Sequence, residues 1–200
     1  MTLLQRLPNI LTASRIVLGG SVFFLLAAAG GGLPGQAQPV AAETSKALLV
    51  VSFVVFVIAA ATDWLDGWVA RKFNAVSPWG AVLDPIADKI AVTAAILGLV
   101  VATGSPSIAM AGFVILFREV FVSGLREGIA PLGVKLPVTT LAKWKTTFQL
   151  VALSLEMLTP LYRGPIPVRE AVDLFLWTTA ILTLWTGWQY LRGAARALQA

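Results

Sequence analysis

The chain has 200 residues, of which 58% are hydrophobic and 12% are charged, and its mean hydropathy is +0.83. Soluble domains are about 45–50% apolar and about 25% charged, so this composition excludes an ordinary soluble domain and predicts a membrane protein. The sequence contains neither Cys nor His, which excludes disulfides, zinc–thiolate sites and Ser–His catalytic triads. Its net charge of +5 is typical of a protein with an anionic partner, such as phospholipid or nucleotide.

A membrane-spanning helix needs about 20 mostly apolar residues. Six runs of the sequence meet this requirement: 10–29, 47–68, 80–102, 107–125, 140–158 and 171–191. Residues that favour turns separate several of them, which predicts loops at 30–35, 103–106 and 164–167. The sequence therefore predicts an all-α integral membrane protein with six transmembrane helices and a single domain over residues 1–200.

Basic residues near the ends of spans favour the cytoplasmic side of a membrane. Of the 15 Lys and Arg residues, only Lys46, Arg163 and Arg169 fall on one side of the six-span arrangement. This asymmetry predicts that both termini face the cytoplasm. The first 29 residues also resemble a secretory signal, but Arg15 lies where the apolar core of such a signal should be uninterrupted.

Four aspartates flank the short loop between the second and third apolar runs, namely Asp63, Asp66, Asp84 and Asp88. One such carboxylate would be ordinary interfacial charge, although Asp inside a span costs roughly 2.5–3.5 kcal/mol. The spacings i, i+3 and i, i+4 place each pair on one helix face. Two facing pairs repel each other unless a cation lies between them. Oxygen ligands favour Mg²⁺ or Mn²⁺, so the sequence predicts a divalent-metal site.

Small residues and an arginine accompany these aspartates. Gly67, Ala70 and Gly80 remove side-chain bulk where a large ligand would lie. Arg71 follows Ala70 directly and offers a planar guanidinium that suits phosphate. The segment therefore favours a bulky phosphorylated ligand held beside the metal.

The full pattern is Asp63-x2-Asp66-Gly67-x2-Ala70-Arg71-x8-Gly80-x3-Asp84-x3-Asp88. It matches the signature of the CDP-alcohol phosphatidyltransferase family at all eight positions, so the chain resembles this family. The resemblance implies the family's six-helix membrane fold, a homodimer, a CDP-linked lipid donor and two divalent metal ions on the donor pyrophosphate.

The resemblance also implies a role for each matching residue of the donor and metal site, residues 63–88. Asp63, Asp66 and Asp84 would bind the metal ions, and Asp88 would be the general base and could bind metal as well. Donor-binding positions would be Gly67, Ala70, Arg71, Ser77 and Gly80.

A second motif, Asn9-x2-Thr12-x2-Arg15, lies at the cytoplasmic end of the first run. Similar residues line the donor pocket in members of the family, which implies donor binding here. The motif is also consistent with an ordinary helix start, in which Asn9 caps the helix and Arg15 extends to the membrane surface. Both interpretations remain open at this point.

Charged residues also interrupt the fourth and fifth runs. Anchoring at the cytoplasmic surface explains Arg126 and Lys143, but it explains Arg118 poorly because a snorkelling residue needs no adjacent Glu119. Basic groups beside a metal-bound pyrophosphate suit an acceptor that carries phosphate. The segments Arg118-Glu119-x3-Ser123-x2-Arg126-Glu127 and Lys143-x-Lys145-Thr146-Thr147-x-Gln149 are similar to those of family members that use sn-glycerol 3-phosphate. This similarity implies an acceptor site over residues 118–147, with Arg118, Lys143 and Lys145 on the phosphate and Arg126 in support.

These expectations combine into one predicted enzyme. It would transfer the phosphatidyl group of CDP-diacylglycerol to glycerol 3-phosphate at the cytoplasmic face of a bacterial inner membrane, among membrane phospholipids and without nucleic acid. Alternative acceptors are serine, inositol phosphate and phosphatidylglycerol. A divalent-cation transporter is a further alternative, although no repeat is visible and the acidic residues gather at one face, unlike typical transporters.

Overall fold

The computed structural model describes the backbone of residues 3–36, 39–73, 78–133 and 140–199, and the side chains of 10, 12–36, 39–62, 82–133 and 144–199. All regular structure in these residues is helical. In chain order the α-helices are α1 Leu3–Ala29, α2 Ala42–Phe73, α3 Pro78–Thr103, α4 Pro106–Ile129, α5 Thr140–Leu158 and α6 Ile166–Gln199. Short 3₁₀ turns follow α4 and α5, at Ala130–Leu132 and Thr159–Leu161.

Each of the six predicted apolar runs lies within one of these helices. The loop predicted at 103–106 is confirmed: α3 ends at Thr103 and α4 begins at Pro106. Gly104 has a φ of +62° and donates its N–H to the carbonyl of Val100 at 2.9 Å. A left-handed glycine followed by proline ends one helix and allows a new one to begin.

Four stretches among the described residues are long and apolar enough to cross a membrane: Thr12–Ala29, Ala42–Thr62, Val82–Thr103 and Pro106–Leu132. Helices α5 and α6 carry buried polar side chains, including Gln149 and Thr183. The chain is therefore an all-helical membrane protein, and the count of six spans remains a prediction.

The chain divides into two compact units. The first comprises Met1–Ser105 and Ser154–Arg163, and the second comprises Pro106–Leu153 and Gly164–Ala200. The first unit thus contains α1, α2 and α3, whereas the second contains α4, α6 and most of α5.

In the first unit, α1 packs along both α3 and α2. Helices α1 and α3 run parallel, because Gly19 lies against Ala91 and Leu26 lies against Gly98 further along both helices. A Cβ added at Gly98 would lie 2.8 Å from the Leu26 Cβ. Small residues therefore allow the close approach of these two helices.

In the second unit, α4 packs against α6. One contact is polar: the Ser107 hydroxyl donates to Asp173 Oδ1 at 2.6 Å and accepts from Trp177 Nε1 at 2.9 Å. These bonds fix the first turn of α4 to α6.

Candidate active site

The first unit brings four of the predicted site residues together, which we call the carboxylate site: Thr12, Arg15, Asp84 and Asp88. The Thr12 hydroxyl donates to Asp84 Oδ1 at 2.8 Å. Arg15 donates from Nη2 to Asp84 Oδ1 at 3.1 Å and from Nη1 to Asp88 Oδ1 at 3.4 Å. Because Asp84 and Asp88 are one helical turn apart, a single guanidinium reaches both carboxylates.

Burial distinguishes the two interpretations of Arg15. Its side chain is only 3% exposed and is paired with two carboxylates. The interpretation that Arg15 extends to the membrane surface is therefore wrong. Arg15 and Thr12 instead connect α1 to the aspartate motif on α3.

The two described aspartates have the chemistry expected of ligands for a hard cation. Their side chains are 51% and 50% exposed, so a ligand can reach them, and they offer only oxygen atoms. No group of three metal-ligating side chains comes together among the side chains that the structure describes. The side chains of Asp63 and Asp66 are not among those that the structure describes. The oxygen-only chemistry of Asp84 and Asp88 thus fits Mg²⁺ or Mn²⁺.

Several other predicted positions also fall outside the described side chains. They are Asn9, Gly67, Ala70, Arg71, Ser77, Gly80 and Lys143. Their predicted roles in donor or acceptor binding stay predictions.

The second unit contains a group that we call the cation cluster, formed by Arg118, Glu119, Arg126 and Lys145. Glu119 Oε1 accepts a hydrogen bond from Arg118 Nη1 at 3.2 Å and another from Lys145 Nζ. Arg118 and Lys145 are each 5% exposed. The structure thus brings together three of the four residues predicted for the acceptor site, Arg118, Arg126 and Lys145, and adds the partly buried carboxylate of Glu119.

Arg126 joins the cluster through an aromatic ring. It donates from Nη2 to the Tyr190 hydroxyl at 3.1 Å, and its guanidinium carbon lies 5.0 Å from the centre of the Tyr190 ring. The guanidinium carbon of Arg118 lies 5.7 Å from the centre of the same ring. Both distances are within the range of cation–π attraction.

Polar residues of α5 and α6 complete the surroundings of the cluster. Gln149 Nε2 lies 3.5 Å from Glu119 Oε1 and donates to Thr183 Oγ1 at 3.1 Å. Arg118 Nη2 donates to Thr186 Oγ1 at 3.2 Å. Sequence reasoning noted Gln149 only within a similar segment, and it assigned no role to Thr183 or Thr186. Both threonines lie on α6 near Tyr190. Their presence in the sequence was only a weak indication of a functional role, because threonine is common in membrane helices that contain no functional site.

The cluster carries more positive than negative charge. Two cations, Arg118 and Lys145, share one carboxylate, and the Nε of Arg118 is buried with no hydrogen-bond partner in the described part of the chain. Buried charge and unpaired buried donors are costly. The arrangement is therefore suited to binding an anion.

Comparison with known proteins agrees with this chemistry. A profile of the CDP-alcohol phosphatidyltransferase family matches residues 5–185. The chain belongs to the CDP-alcohol phosphatidyltransferase family. It is therefore a membrane-embedded member of a transferase family.

The chain is also similar to individual enzymes named CDP-diacylglycerol–glycerol-3-phosphate 3-phosphatidyltransferase. It is 36% identical to the enzyme of Haemophilus influenzae, a match that covers 96% of this chain and 95% of the relative. The Escherichia coli enzyme is likewise 36% identical, with the same coverage. The Rickettsia bellii enzyme is 41% identical over 72% of this chain and 78% of the relative.

Proposed function

We infer that this protein transfers the phosphatidyl group of CDP-diacylglycerol to sn-glycerol 3-phosphate, giving phosphatidylglycerophosphate and CMP. The observation that carries this inference is the similarity to enzymes of that activity over 96% of the chain. The cation cluster supports the same acceptor, since its excess of positive charge favours an anion and glycerol 3-phosphate supplies one.

We assign the metal ions to the aspartate motif. Asp63, Asp66 and Asp84 would hold Mg²⁺ or Mn²⁺, two ions in all, with Asp88 as a further ligand. When bound, the ions would neutralise the pyrophosphate of the donor and stabilise the charge on the departing CMP. The oxygen-only donor set of Asp84 and Asp88 supports this assignment.

Thr12 and Arg15 hold the part of the aspartate motif that lies on α3, namely Asp84 and Asp88. Both bond to Asp84, and Arg15 also contacts Asp88. Together with Asn9, they would line the donor pocket. Gly67, Ala70, Arg71, Ser77 and Gly80 would complete the surroundings of the cytidine diphosphate.

Asp88 is the proposed general base. The hydroxyl oxygen of the acceptor forms a bond to the phosphorus that carries the diacylglycerol. The bond from this phosphorus to the CMP oxygen breaks, and CMP leaves with the electron pair. The hydroxyl proton passes to the Asp88 carboxylate.

The cation cluster is the proposed binding site for the acceptor phosphate. Arg118 and Lys145 would donate to the phosphate oxygens, with Lys143 beside them and Arg126 in support. Hydrogen bonds between such cations and phosphate are short and strong, and guanidinium adds directional recognition.

The distribution of Lys and Arg along the sequence indicates how the chain is oriented in the membrane. We propose six spans with both termini in the cytoplasm, an active site on that face of a bacterial inner membrane, and a homodimer. The uneven distribution of Lys and Arg supports this orientation.

An assay of the purified protein in detergent tests the function. With CDP-diacylglycerol, glycerol 3-phosphate and Mg²⁺, we expect CMP and phosphatidylglycerophosphate in equal amounts, and loss of both when EDTA removes the metal. Metal flux into liposomes without any CMP release would instead identify a transporter. Release of CMP only with another alcohol would contradict the proposed acceptor.

A further inference from the structure

Glu119 is a partly buried carboxylate that the reaction described above does not use. Its Oε1 atom faces three N–H donors at once: Arg118 Nη1, Lys145 Nζ and Gln149 Nε2. Several cationic and amide donors around one oxygen form the same kind of environment that proteins build around a phosphate oxygen. Glu119 therefore lies where an anion is expected to bind.

The charges around Glu119 do not balance. Arg118 and Lys145 both contact its carboxylate, and Arg126 shares the Tyr190 ring with Arg118. One negative charge thus faces two positive charges in direct contact, which leaves one of them unneutralised. A phosphate monoester above a pH of about 6 carries close to two negative charges and would neutralise both.

The side chain of Glu119 is also the most accessible of the three groups in direct contact. It is 19% exposed, whereas the side chains of Arg118 and Lys145 are 6% exposed. Arg118 keeps a second contact, since it also bonds to Thr186 on α6. The carboxylate can therefore turn away while Arg118 remains bonded to α6.

We propose that Glu119 is a built-in counter-anion, which pairs with Arg118 and Lys145 until the acceptor phosphate displaces it, and which thereby restricts the acceptor to a dianion. This proposal rests on the proposed function of the cation cluster. A monoanion offers the two cations no more charge than Glu119 already provides. A dianion offers more and is able to compete. Serine, which has only a carboxylate to offer such a site, would be excluded on this ground.

The test uses two small probes of nearly the same shape, methyl phosphate and methyl sulfate, at pH 8. The first is a dianion and the second is a monoanion. Binding is measured as the rise in the midpoint of thermal unfolding of the purified full-length protein, because a ligand that binds the folded state stabilises it. The proteins are the wild type, Glu119→Gln, and the matched control Glu43→Gln, which removes the carboxylate of the exposed Glu43–Lys46 pair.

We expect methyl phosphate, but not methyl sulfate, to raise the unfolding midpoint of the wild type and of Glu43→Gln. In Glu119→Gln, methyl sulfate should bind about tenfold tighter than in the wild type, since a tenfold change corresponds to the loss of one modest competing interaction. In this variant the difference in affinity between methyl phosphate and methyl sulfate should therefore be smaller than in the wild type. Equal responses of the wild type to both probes would overturn the proposal, and this arm does not depend on the variant folding.

Other outcomes separate this proposal from the proposed function. If Glu119→Gln is merely less stable and keeps the wild-type preference, Glu119 is only a structural ion-pair partner and the proposal fails. If the wild type forms phosphatidylglycerophosphate but shows no preference between the probes, the function stands and the proposal fails. If methyl phosphate does not bind and glycerol 3-phosphate gives no product, the proposed function itself fails.

Discussion

Asp84 and Asp88 both contact Arg15 of α1. Arg15 donates to Asp84 Oδ1 at 3.1 Å and to Asp88 Oδ1 at 3.4 Å, and Asp84 also accepts a hydrogen bond from the Thr12 hydroxyl. One cation of α1 thus contacts both carboxylates of the α3 motif.

Replacement of Asp88 by Asn tests the general base. We expect kcat for CMP release to fall about 10²–10⁴-fold, because the amide cannot take the acceptor proton, while the KM for CDP-diacylglycerol changes little. Asp173→Asn is a matched control, since Asp173 accepts a hydrogen bond from Ser107 and the amide oxygen can still do so. Residual activity near that of the wild type would place the base elsewhere.

Replacement of Lys145 by Met tests the acceptor site. The KM for glycerol 3-phosphate should rise about ten- to hundredfold, since a hydrogen bond to a charged group contributes roughly 1.5–3 kcal/mol. The KM for the lipid donor should not change. Lys46→Met serves as the control, because Lys46 is an exposed lysine paired with Glu43. An unchanged KM for glycerol 3-phosphate in Lys145→Met would remove Lys145 from the site.

At the scale of single residues, the sequence predicts only those site residues that charge and spacing reveal. Arg118 stood out because Glu119 adjoins it within an apolar run, and the structure pairs these two residues. Tyr190 and Thr186 lie more than 60 positions further along the chain from Arg126 and Arg118. Only the packing of α6 against α4 brings them to the cluster, and no spacing within one helix encodes that contact.

At the scale of helices, Gly187 connects the packing of α6 to the cation cluster. A Cβ at this position would lie 2.9 Å from the Arg118 Cγ, which is too close without movement. Glycine here thus allows the stem of Arg118 to lie against α6.

Gly187→Ala should therefore displace Arg118 and raise the KM for glycerol 3-phosphate several-fold. Forcing an extra methyl into a packed contact costs typically 1–3 kcal/mol, part of which the flexible arginine can relieve. Gly124→Ala is the matched control on α4, where an added Cβ meets nothing within 4 Å. Equal kinetics for the two variants would show that the position of Arg118 does not depend on Gly187.

The parallel pair of α1 and α3 gives a prediction about stability. Gly98→Ala places a Cβ 2.8 Å from the Leu26 side chain, so we expect the free energy of unfolding to fall by about 1–3 kcal/mol. Gly20→Ala is the control, since its Cβ meets nothing and alanine favours helix by about 1 kcal/mol. Thermal unfolding in detergent measures both variants. A Gly98→Ala protein as stable as Gly20→Ala would contradict the close packing of α1 and α3.

Helix positions followed from the apolar runs, because a run of about 20 such residues has few other stable structures in a membrane. The run at 140–158 coincides with α5, while α1, α2 and α6 extend well beyond their runs into polar sequence. The apolar runs did not predict which helices pack against each other. The dominant contact of α1 with α3 depends on glycines whose partners lie 72 residues away, as Asp84 does from Thr12.

At the scale of the whole molecule, charged residues are scarce, so the position of each one is informative about function. Only 12% of the chain is charged, yet the carboxylate site and the cation cluster contain seven charged side chains in total: Arg15, Asp84, Asp88, Arg118, Glu119, Arg126 and Lys145. Arg15, Arg118 and Lys145 are buried, and charges buried in an apolar protein are costly unless they are paired or bind ligands. Their grouping therefore supports a catalytic role over general anchoring.

The central claim is that these two groups of residues serve transfer of a phosphatidyl group to glycerol 3-phosphate. The most direct test supplies the purified protein with CDP-diacylglycerol, Mg²⁺ and an equal mixture of glycerol 3-phosphate, serine, inositol phosphate and phosphatidylglycerol. Mass spectrometry of the lipid products should find phosphatidylglycerophosphate in at least tenfold excess over every other product, since the loss of one contact to a charged group already changes affinity by about that factor. A dominant product from any of the other three acceptors would contradict the account.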